Sequence, residues 1–121
     1  MDKDIPKILL VEADQGLLRS ILESFGYAVT VVSDALRARQ RFLEDPLSFG
    51  LVIIDGQAAL PSVLDIGEEM RKMRPGIPVI LYVDHFDRVL LAKARQKGFA
   101  VVKRFHDPSN LISSISRFLE S

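Results

Sequence analysis

Residues 49–55 read Phe-Gly-Leu-Val-Ile-Ile-Asp. The run Leu51–Ile54 is apolar without alternation, so both of its faces need cover, which is the pattern of an inner strand of a parallel sheet. It stops at an acid, Asp55. The same design recurs on either side. Upstream, Ile8-Leu-Leu-Val11 ends in Glu12-Ala13-Asp14; downstream, Ile77-Pro-Val-Ile-Leu-Tyr-Val83 ends at Asp84, and Ala100-Val-Val102 ends at Lys103. Tyr27 to Val32 is β-branched and reads as a further strand.

The stretches between these runs have helical spacing. Residues 16–24 put Leu17, Leu18, Ile21 and Leu22 on one face, with Gly26 as the stop. Ser33 or Asp34 caps a helix through about Glu44, with Leu36, Phe42 and Leu43 expected toward the core and Pro46 beyond its end. A third helix is expected around 62–73, closed by Arg74-Pro75-Gly76. Asp84-His85-Phe86-Asp87 reads as the cap of a fourth helix that runs to about Lys97 with Gly98 as its C-cap, and Asp107-Pro108 opens a last helix through Leu119. Five strands each followed by a helix imply right-handed crossovers and a single doubly wound α/β domain spanning residues 1–121, a five-stranded parallel sheet with helices on both faces.

The chain has 121 residues, with 16 Lys+Arg against 16 Asp+Glu and a formal net charge of zero. That balance lacks the basic excess expected of a nucleic-acid binder. The absence of cysteine excludes a disulfide scaffold, a thiolate zinc site and a cysteine nucleophile. Apolar runs fall far short of the roughly 20 residues that span a bilayer, and the charged start Met1-Asp-Lys-Asp4 leads into no signal-peptide core. The expectation is a soluble cytoplasmic domain without membrane or direct nucleic-acid contact.

Ligands of an open parallel sheet collect at the carboxyl ends of its strands. The residues there are Glu12, Asp14, Asp55, Asp84 and Lys103. Carboxylates at one rim suit a hard cation such as Mg²⁺, and a lysine suits a phosphoryl oxygen. Each also has a plain reading: Asp14 as a helix cap, Asp84 with Asp87 as a helix start, Glu12 as a strand-end charge. His85 and His106 are isolated in sequence and read as surface histidines. Phe99, Val101, Val102, Phe105 and Phe118 read as core.

Taken in order, Lys7-Ile-Leu-Leu-Val-Glu-Ala-Asp14, Phe49–Asp55, Pro75-Gly-Ile-Pro-Val-Ile80 and Lys97-Gly98 leading to Lys103-Arg-Phe105 resemble the receiver domain of a bacterial two-component response regulator. The resemblance covers about residues 6–120 and implies the flavodoxin-like, CheY-like arrangement. It implies a phosphoacceptor at Asp55 in a His–Asp phosphorelay, Lys103 pairing with the phosphoryl group, and a Mg²⁺ site from Glu12, Asp55 and the backbone carbonyl of Gln57, with Asp14 as a further candidate. It implies no enzyme beyond self-phosphotransfer and autodephosphorylation at Asp55. Implied partners are a histidine kinase or phosphotransfer protein, a downstream effector, and a weak homodimer through the fourth helix, fifth strand and fifth helix, a face that Arg88, Lys93, Arg104 and Arg117 would decorate.

The chain departs from that pattern where the switch should be. Ala13 replaces one of two acids after the first strand, Val83 a hydroxyl at the end of the fourth, Ala100 an aromatic on the fifth, and Arg104 a proline after the lysine. Pro61 lies six positions beyond Asp55 where the family has four. Two functions stay open: a receiver phosphorylated at Asp55 with an atypical, partly degenerate site and weakened Mg²⁺ binding, or a phosphorylation-independent pseudo-receiver that acts as a protein-interaction module. A flavin-binding or hydrolytic domain is disfavoured. Glu12-Ala13-Asp14 would repel a phosphate, and no Gly-x-Ser-x-Gly elbow is present.

Overall fold

The computed structural model describes residues 6–12, 17–55, 63–84, 88–104 and 107–120, without the side chains of residues 17, 35, 63 and 120. Ala13, Asp14, Gln57, His85, Asp87, Phe105 and His106, all named above, lie outside the described residues.

The elements alternate as β1 (Lys7–Val11), α1 (Leu17–Ser24), β2 (Ala28–Val32), α2 (Ala35–Glu44), β3 (Phe49–Asp55), α3 (Val63–Met73), β4 (Val79–Val83), α4 (Arg88–Gln96), β5 (Ala100–Lys103) and α5 (Ser109–Glu120). The strands form one parallel sheet in the order β2-β1-β3-β4-β5. β1, β3 and β4 are therefore interior, which is why their sequences are continuously apolar. Ile77 and Pro78 precede β4 and do not belong to it. Pro78 has no N–H to give a ladder, and its carbonyl accepts from Val52 N instead (3.0 Å).

The pleat divides the core in two. Leu9, Val11, Val52, Ile54, Leu81 and Val83 pack with Ala38 and Phe42 of α2, Ile66 and Met70 of α3, and Ala94 of α4. On the other face, Ile8, Leu10, Leu51, Ile53, Ile80, Tyr82 and Val102 pack with Leu18 and Leu22 of α1 and Leu111 and Ile115 of α5. Asp34 caps α2, its Oδ1 accepting from Arg37 N at 2.8 Å. The expected inner face of α2 is corrected. Phe42 is buried, but Leu36 and Leu43 are 63% and 55% exposed. The stripe that meets the sheet is Ala38 and Phe42, four apart, with Phe42 stacked on Phe49 at 5.9 Å. At about 100° per residue Leu36 and Leu43 point well away from that stripe.

Candidate functional site

The carboxyl ends of β1, β3, β4 and β5 share one rim. Asp55, last in β3, stands in register with Tyr82, and Val11 with Ile54, so Glu12 comes beside Asp55 at the next strand end. Glu12 and Asp55 are each only 4% exposed. A carboxylate taken this far from water needs a counter-charge or hydrogen-bond donors to stay ionised.

For Asp55, Arg104, the first residue after β5, supplies such a counter-charge. Its backbone N–H donates to Val83 O at 2.6 Å, which carries the β4–β5 pairing one residue further. Its Nη2 then donates to Asp55 Oδ2 at 2.9 Å. Its Nε lies 3.3 Å from Asp84 Oδ1, an ion pair without the alignment of a hydrogen bond. Its guanidinium carbon sits 4.6 Å from the centroid of the Tyr82 ring, a cation–π contact. Side chains alternate faces along a strand, so Arg104 shares the α1/α5 face of Val102, and Asp55 and Tyr82 share that face with Ile53 and Ile80. One guanidinium thus ties together the ends of β3, β4 and β5. Burial works against the Arg104 charge, but its bond to Asp55 and the charges of Asp55 and Asp84 outweigh this and raise its pKa above the ordinary arginine value. Burial raises the Tyr82 hydroxyl above its ordinary 10.0, with Arg104 pulling the other way.

One expectation is corrected here. Arg104 does not decorate the α4–β5–α5 face; it turns inward to Asp55. Asp84 Oδ1 pairs with Arg104, and residues 85–87, which its expected helix-start role involves, lie outside the described residues. Lys103, last in β5 and half-buried, stands in register with Val83, and its carbonyl accepts from Asn110 Nδ2 at 2.8 Å. Val83 is buried in the α2–α3–α4 cluster and has no hydroxyl to offer the rim. Ala100 packs against the opposite cluster, with a methyl group in place of the family's aromatic ring.

Arg104 already bonds Asp55 Oδ2, and among the described residues no three His, Cys, Asp or Glu side chains cluster in a way that could hold a metal ion. Asp14 and Gln57, two of the expected Mg²⁺ ligands, lie outside the described residues. The rim brings together Glu12, Asp55, Tyr82, Asp84 and Arg104. The sequence reading had the acids and missed the arginine.

No protein-family model and no curated protein matches the chain by sequence. Solved structures do match. A response-regulator receiver domain from Clostridium thermocellum superposes with a TM-score of 0.84 at 25% identity, covering 95% of this chain and 94% of that one. This is a receiver-domain fold. The BeF3-activated DrrB receiver domain has a TM-score of 0.77 at 25% identity, over 97% and 99% of the two chains. A CheY-like receiver domain from Methanospirillum hungatei JF-1 gives 0.81 at 24% over 96% and 94%. In a receiver fold the carboxyl rim of the sheet is the end where a ligand would bind, and here that end is crossed by a salt bridge. Among the described residues no helix is long and apolar enough to cross a membrane.

Proposed function

We propose that the chain is a signalling domain that binds partner proteins through its receiver fold, without taking up a phosphoryl group at Asp55. The observation that supports this is the Arg104–Asp55 bond at 2.9 Å. A carboxylate oxygen that accepts from a guanidinium is a weaker nucleophile. Val83 points the same way, since a β4 end without a hydroxyl offers no link from Asp55 to the loop beyond. The proposed setting is the cytoplasm, with an upstream kinase or phosphotransfer protein and a downstream effector as the classes of partner. The α4–β5–α5 face is the proposed contact for a weak homodimer.

A second reading keeps Asp55 as phosphoacceptor, with Lys103 beside the phosphoryl group and Mg²⁺ at Glu12, Asp55, the Gln57 carbonyl and Asp14. The buried carboxylates at 12 and 55 favour it. Intact-mass spectrometry after incubation with Mg²⁺ and acetyl phosphate separates the two. The first reading predicts no adduct. An adduct that disappears in Asp55→Asn would establish the second.

A further inference from the structure

We propose that Arg104 is the resident cation of this rim: its guanidinium holds the position beside Asp55 that a divalent cation would take, and the two exclude each other. This rests on the reading of the chain as a receiver that does not take up phosphoryl, and gives the physical reason for it.

The described rim carries three carboxylates, Glu12, Asp55 and Asp84, and two cations, Lys103 and Arg104. Two of those acids, Asp55 and Asp84, already contact Arg104 at 2.9 and 3.3 Å. Arg104 is held there from three directions. The backbone bond to Val83 fixes where its Cα sits, the Tyr82 ring lies against the guanidinium, and Asp55 receives one arm of the fork. Its side chain is only 32% exposed. A planar cation so constrained keeps most of its bonding energy, because little rotamer freedom is lost when the bond forms. A divalent ion arriving at Asp55 would meet this fixed positive charge beside Oδ2. With Arg104 replaced by a neutral residue, the rim gains one unit of negative charge and loses that competitor. Two buried carboxylates on neighbouring strand ends then suit a hard cation.

The test compares the wild-type chain with Arg104→Gln. Thermal unfolding and isothermal titration are followed with MgCl₂ against NaCl of equal ionic strength. The wild type is expected to show no Mg²⁺-specific rise in melting temperature. Arg104→Gln is expected to melt lower without Mg²⁺, to recover as Mg²⁺ is added, and to bind Mg²⁺ at least tenfold more tightly. The double variant Arg104→Gln/Asp55→Asn, which removes charge and counter-charge together, is expected to lose the Mg²⁺ response and to melt above the single variant. If Arg104→Gln does not fold alone, folding on Mg²⁺ addition or in the double variant supports the proposal, and failure in both overturns it. Equal Mg²⁺ binding by wild type and Arg104→Gln also overturns it, even if the wild type stays unphosphorylated. A phosphoryl adduct on the wild type would overturn the functional reading while leaving this competition standing.

Discussion

Two ends of the same sheet are tied by arginines in different ways. At the end where strands begin, Arg71 donates to three backbone carbonyls, Lys97 O at 2.8 Å, Gly98 O at 2.9 Å and Ile77 O at 3.2 Å, and lies 5.1 Å from the Phe99 ring centroid. Arg74 likewise donates to Pro46 O and Phe49 O. These arginines clip loops by bonding neutral acceptors. At the end where strands finish, Arg104 bonds carboxylates, Asp55 and Asp84, over Tyr82. Losing a clip leaves carbonyls that water can satisfy, at modest cost. Losing Arg104 leaves buried negative charge less compensated, which costs more and invites a replacement cation. The first kind of arginine holds a fold together. The second decides what a site can bind.

The neutral end breaks most severely through its apolar partner. Phe99 is 4% exposed and packs so closely that a Cβ on Gly67 would lie 2.6 Å from its ring. Phe99→Ala is expected to cost about 3–5 kcal/mol by urea denaturation, equally with and without Mg²⁺. Arg104→Gln is expected to cost about 1–3 kcal/mol, less than a fully buried pair because its guanidinium is about a third exposed, and Mg²⁺ should restore part of it. Arg71→Gln is expected to cost about 1 kcal/mol with no Mg²⁺ response. A Mg²⁺ response in Arg71→Gln, or none in Arg104→Gln, would erase the contrast between the two ends.

The smallest expected effect is a pH dependence at Tyr82. Its pKa in the folded chain is raised above 10.0, so the folded state holds a proton that the unfolded chain releases first. The linked contribution to stability is fully present below pH 10.0 and is lost as pH rises through the higher folded value. Denaturation at stepped alkaline pH should show a fall in stability that Tyr82→Phe reduces. Removing Arg104, which pulls the folded Tyr82 pKa down, should leave the onset of that fall unchanged, extend it to higher pH and deepen it.

The fold was legible because its strongest signals are long and local. Apolar runs at 8–11, 51–54 and 77–83, ended by charges, gave the inner strands and the parallel sheet, with the fourth strand read two residues too long. Asp34 gave a cap, and Gly98, at φ +79°, a helix stop. On α2 apolar content alone misled. Leu36 and Leu43 outweigh Ala38 in hydrophobicity, yet the small Ala38 and the ring of Phe42 are what the close approach to the sheet accepts. At the rim, the acids were legible as strand ends. Arg104 was not, because a charge just past an edge strand most often lies in solvent, and its partner is 49 residues away in sequence. One signal was available. Arg104 has the parity of Val102, which places it on the same face as Tyr82 and Asp55 once the strands are aligned.

The central claim is that Arg104, and not a metal ion, neutralises Asp55. The most direct test follows the Asp55 carboxyl carbon and the Arg104 Nη–H by NMR as Mg²⁺ is added at constant ionic strength. The account predicts that neither resonance moves in the wild type, while the Asp55 signal shifts in Arg104→Gln. A saturable Mg²⁺-dependent shift of Asp55 in the wild type, with Arg104 Nη–H released to solvent exchange, would contradict it.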